Sequence, residues 1–171
     1  MNQRDSIERI RGEKPTDIGI ELQPTFLMLG CLGLLPFVFS LAVVIANPYL
    51  DDIVIIRALR LDFPLVFASY SAMIASFLAG SLWRQQFSII QGKSWKLIVS
   101  NIVVVLVWIS LVAGHSSEKM MPFAISAHMI CFLFLLAVER DSMVENFAYA
   151  RMRYWLTGAV VVMHLALLLA L

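Results

Sequence analysis

Five stretches of almost unbroken apolar residues divide this 171-residue chain, at about 25–46, 63–83, 97–113, 121–138 and 154–171. A straight α-helix needs roughly 20 apolar residues to cross a bilayer core, within a working range of about 17–25. Every run meets that range. The third and fourth are short and are expected to gain a turn from their flanks. The pattern predicts an all-α integral membrane bundle of five transmembrane helices over residues 23–171, behind a polar N-terminal tail over residues 1–22. The tail mixes charges of both signs and lacks the basic-then-apolar order of a secretory signal peptide.

Lysines and arginines divide unequally between the two sets of connections. The tail and the 84–96 and 139–153 segments hold ten, and the alternate segments hold three. The richer side of a membrane protein faces the cytoplasm, so the N-terminus is expected to be cytoplasmic and the C-terminus on the opposite side. Trp83, Trp95 and Trp155 fall at the cytoplasmic boundary on this topology and Trp108 toward the other. Amphipathic indoles favour those interfaces.

Lipid removes the hydrophobic drive between helices, so close backbone approach and polar links must hold them together. The second run offers Ala68, Ala72, Ser76 and Gly80, a ridge of small residues spaced by four. It suits packing within the bundle, or contact with another membrane subunit or a second copy. The first run has Gly30 and Gly33 followed by Pro36, which should kink its helix.

The segment before the last run reads as part of the same helix. Ser142 and Glu145 have the spacing of a capping box, which would start that helix near Met143. At 100° per residue, Asn146, Tyr149, Arg153, Thr157 and His164 share an arc of roughly 80°. Arg151 and Trp155 point nearly opposite and read as a lipid-surface anchor. The polar stripe would be costly against lipid and should face the interior, although Arg153 also suits an arginine that snorkels to the surface.

Composition narrows the function further. Hydrophobic residues make up 60% of the chain and net charge is +1, which leaves no basic field for nucleic acid. Cys31 and Cys131 form neither a disulfide framework nor a zinc spacing. No nucleophile–base arrangement, phosphate loop or catalytic residue is legible, and no cofactor is specified. His128 and His164 lie at matching depth in the fourth and fifth runs, with Cys131 one turn from His128. Two such imidazoles could ligate haem or a metal, hydrogen-bond a quinone, or simply bond backbone carbonyls.

The stretches "LGCLGLLPFVF" (29–39), "YSAMIASFLAGSLW" (70–83) and "YARMRYWLT" (149–157) resemble the signatures of the domain-of-unknown-function 3429 family, which includes the mitochondrial transmembrane protein 69. Leu29, Gly30, Gly33, Pro36, Phe37, Tyr70, Ser76, Phe77, Gly80, Trp83, Tyr149, Arg153, Leu156 and Thr157 match its pattern. Ala79, Leu82 and Arg84 depart from it, Leu82 standing where the family has a histidine. The resemblance implies an architecture, and a shared patch at the inner boundary joining Trp83 to Tyr149 and Arg153; it implies no reaction.

The expectation is a non-enzymatic, multi-pass protein of a bacterial inner membrane, in contact with the lipid bilayer and serving as an accessory or assembly subunit. The alternative is a small binder of haem, quinone or lipid. Its candidate ligand-binding residues are Trp83, Tyr149, Arg153, Thr157, His128 and His164.

Overall fold

A computed structural model describes residues 24–50, 61–87, 94–143 and 147–171. The polar tail and Asn146 lie outside them. Among these described residues six α-helices follow in order: α1 (Pro24–Leu32), α2 (Leu35–Leu50), α3 (Phe63–Phe87), α4 (Ser94–Ser116), α5 (Met121–Met143) and α6 (Phe147–Ala170). One 3₁₀ turn, Glu118–Met120, joins α4 to α5. Among the described residues there is no strand. Five helical segments among the described residues are long and apolar enough to cross a membrane, with α1 and α2 together supplying the first, Met28–Ala46. The third and fourth apolar runs do gain turns from their flanks.

The expected kink at Pro36 is a full break. Pro36 has no N–H to offer the preceding turn, so the chain tightens at Gly33 and Leu34. There the Leu34 amide bonds the Cys31 carbonyl at 3.0 Å. The helix restarts at Leu35, placing Pro36 in a first turn where a missing donor is tolerated. The Gly33 carbonyl released by the break accepts the Tyr70 hydroxyl of α3 at 2.8 Å. A freed backbone group in an apolar setting is thereby satisfied by a neighbouring helix.

Helices α2 to α6 form a ring in chain order. Each packs on the next, α6 returns to α2, and α3 also touches α5 across the middle. Phe37, Phe67, Ile125, Phe132, Leu135 and Leu167 fill the centre. The small-residue ridge of α3 is inside, but its register shifts. Ala68, Ala72, Ala75 and Ala79 are the buried set, while Gly80 faces outward with open space beside it. Steps of four residues rotate about 40° per step, and three such steps carry Gly80 off the packed face.

The last helix does not start where Ser142 and Glu145 suggest. Residue 142 is still helical within α5, and α6 begins at Phe147. A capping box needs a non-helical first residue, so that reading is corrected.

Large apolar side chains cover the outside. Met73, Phe77, Phe147 and Leu169 are among the most exposed residues of the bundle. Trp83, Trp95 and Trp155 are exposed at one end, and Trp108 is exposed nearer the other. This inverts the surface of a water-soluble protein and suits lipid bounded by an aromatic belt.

Helices α4 and α5 approach closely where Gly114 faces Ala124. A Cβ on Gly114 would lie 2.9 Å from the Ala124 Cβ, whereas Gly80 and Gly158 have nothing within 4 Å. Gly114→Ala should therefore destabilise the bundle by about 1–3 kcal/mol. Gly80→Ala and Gly158→Ala should be neutral or mildly stabilising. Unfolding in mixed micelles, titrated with a denaturing detergent, would separate the three.

Candidate functional site

The polar stripe of α6 faces the bundle. Arg153, Thr157 and His164 are buried, Tyr149 is half-buried, and Arg151 and Trp155 are exposed on the other side. The reason is the 3.6-residue period: the stripe coincides with Val160 and Leu167, which carry the apolar contacts of the same face.

Near its start, the stripe meets a carboxylate from α5. Glu139 is 1% exposed. Arg153 donates to Glu139 Oε2 from Nε at 2.9 Å and from Nη2 at 2.7 Å. The Tyr149 hydroxyl donates to Oε1 at 2.7 Å. Both carboxylate oxygens thus hold charge-assisted or hydroxyl bonds, and the arginine is anchored rather than snorkelling. Lys96, 3% exposed, is a second buried cation in the first turns of α4. Trp83 donates from Nε1 to Ser100 Oγ at 2.8 Å, tying α3 to α4.

Further along, His164 sits where four helices meet. Its Nδ1 lies 2.8 Å from the Val160 carbonyl and its Nε2 lies 2.9 Å from Ser71 Oγ of α3. A carbonyl can only accept, so Nδ1 carries the proton and Nε2 accepts from the serine. Phe37, Phe67 and Phe132, from α2, α3 and α5, surround the ring with centroids 4.9–5.8 Å away.

His128 is fully buried on α5, one turn from Phe132. Its Nε2–H donates to the Val107 carbonyl of α4 at 3.2 Å. Its Nδ1 is enclosed and has no hydrogen-bond partner among the described residues. Cys131 is buried nearby on the same helix.

The structure therefore joins Tyr149 and Arg153 through Glu139. It places His164 and His128 deeper in the bundle, Thr157 between Arg153 and His164 along α6, and Trp83 against α4. Leu82 is buried in the apolar core. No group of three or more histidine, cysteine or acidic side chains able to hold a metal occurs among the described residues.

Sequence reasoning overlooked Glu139 and Ser71. A signal for the first was present: His128, Phe132, Leu135 and Glu139 follow steps of four, three and four, so the carboxylate shares the face of the buried histidine. Ser71 had no local signal, because its role depends on where α6 crosses α3.

Residues 22–169 match the family model described as Protein of unknown function (DUF3429). The chain belongs to the DUF3429 family. No curated protein and no solved structure gives a match. The matched range takes in all the helices described above but for the last residue of α6, and includes the Glu139–Arg153 pair, His128 and His164.

Removing one partner of a buried ion pair strands the other charge. Glu139→Leu should cost about 3–5 kcal/mol of stability. The double variant Glu139→Leu with Arg153→Met should recover most of that loss. Comparing detergent-induced unfolding of the two single variants and the double would check it; a double variant no better than Glu139→Leu would mean the pair is not the source of the cost.

Proposed function

We propose that this chain is a non-enzymatic integral membrane protein that serves as an accessory or assembly subunit of a membrane complex. One observation carries the reading: the side chains best suited to chemistry are engaged with one another. The Glu139 carboxylate is held by Arg153 and Tyr149, and both His164 nitrogens are bonded within the bundle. Arranged so, they fix helix positions and leave the broad apolar exterior as the working surface. The distribution of lysine and arginine supports a cytoplasmic N-terminus and a C-terminus on the opposite side. The same reading assigns it to a bacterial inner membrane.

A second reading has its own support. The buried, unpartnered Nδ1 of His128 is an acceptor that a ligand with a hydroxyl or N–H group would satisfy, or a nitrogen that could approach haem iron. Here the protein is a small binder of a haem, quinone or lipid.

Native mass spectrometry after gentle release from the membrane separates the two. A different polypeptide at fixed stoichiometry is expected for the accessory subunit. A bound small molecule that His128→Phe removes would instead establish the binder. A bare chain carrying only exchangeable lipid would count against both.

A further inference from the structure

Helix α4 turns Val103, Val107, Ser110 and Gly114 toward the bundle. Its opposite face carries Ile98, Asn101, Val105, Trp108 and Val112, all exposed. Their spacing is three, four, three and four residues, and at 100° per residue they fall within an arc of about 80°. Such spacing is that of a seam suited to packing a second helix at a shallow left-handed crossing.

Asn101 does not fit a face that meets only lipid. It lies six residues into the span Trp95–Ser116, about 9 Å along the helix from Trp95, in the hydrocarbon rather than at the headgroups. Its side chain is too short to reach the surface as a lysine or arginine does. Serine hydroxyls in the other spans escape by bonding their own helix: Ser40 bonds the Pro36 carbonyl, Ser76 that of Ala72 and Ser126 that of Pro122. The Asn101 carboxamide makes no hydrogen bond among the described residues and points away from the fold. An amide left so in hydrocarbon is heavily penalised, and a partner helix is the source of relief that a membrane offers.

The chemistry of the group selects the partner. A carboxamide has two N–H donors and an accepting oxygen, so the group that satisfies it completely is another carboxamide. Two copies of one membrane protein have the same orientation in the bilayer. A two-fold axis along the membrane normal then sets their α4 helices parallel, with both Asn101 residues at one depth and no adjustment of register. The contact is isologous and closes on itself. Ile98, Val105 and Val112 supply β-branched packing beside the amides, and one asparagine in such a seam fixes register.

We propose that this face of α4 is a homodimer interface in which the Asn101 carboxamides of two copies hydrogen-bond to each other. The proposal does not depend on the buried polar cluster or on either function given above; it concerns one face of the exterior that neither reading singles out.

The test uses the full-length chain in membranes. In a Cys31→Ser, Cys131→Ala background that keeps the wild-type unfolding profile, single cysteines are placed at each position from 98 to 112 and oxidised. Disulfide-linked dimers should peak at 98, 105, 108 and 112 and fall to a minimum at 103, 107 and 110. Energy transfer between labelled copies in liposomes then gives the dissociation constant. Asn101→Leu should raise it about three- to thirtyfold, while Asn101→Gln, which keeps the carboxamide, should stay near wild type. Because residue 101 faces outward, Asn101→Leu should unfold as the wild type does. A monomeric wild type, cross-links without that period, an Asn101→Leu protein that pairs as tightly as wild type, or a different polypeptide captured on this face would each overturn the proposal.

Discussion

The buried pair between Glu139 and Arg153 is the interaction on which the arrangement of the last two helices depends. In water either side chain could be hydrated at little cost. At the end of an apolar bundle neither can stay charged and alone, so α5 and α6 must meet in the register that joins them. Tyr149 completes the set by occupying the other carboxylate oxygen. The geometry is specific because the arginine reaches the carboxylate from two nitrogens at once, which a rotation of either helix would undo. The pair is better understood as a device for position than as a source of net stability, because bringing two charges out of water offsets much of their attraction.

The same constraint repeats deeper in the fold at lower charge. His164 draws α6 to α3 through Ser71, and three phenylalanines from three other helices close around it. Tyr70 compensates the break before Pro36 by taking the Gly33 carbonyl. In each case a polar group that lacks water is met by a group from a different helix, and the contact sets the neighbour's position. The helices have little hydrophobic preference for one another over lipid, so these few bonds and the close approach at Gly114 carry much of the specificity. His128 is the exception among the buried groups, with one ring nitrogen bonded and the other not.

Polarity on the inside and on the outside therefore plays different parts. Most inward-facing polar groups on α3, α5 and α6 are matched within the chain, the Nδ1 of His128 excepted. The outward amide on α4 is matched by nothing within it. The DUF3429 family model matches residues 22–169, nearly the whole chain.

The sequence by itself determined the five apolar helices, a disturbance of the first at Pro36 that the structure shows to be a full break, and the face of the last helix that turns inward. Each follows from a local period or a local backbone property: the length of an apolar run, a missing N–H, and a polar stripe repeating with the helical turn. Which groups meet was a matter for the tertiary structure. Arg153 could be read as an anchor at the surface until Glu139 was found opposite it, and the ridge on α3 shifted from Ser76 and Gly80 to Ala75 and Ala79 because helix packing follows a seam of three and four rather than four alone. The order of the helices, the pairing of Ser71 with His164 and the burial of Leu82 likewise rest on contacts between segments far apart in the chain. Such contacts leave no periodic trace in either segment, because a single serine or glutamate on one helix has the same local sequence whether or not its partner is there.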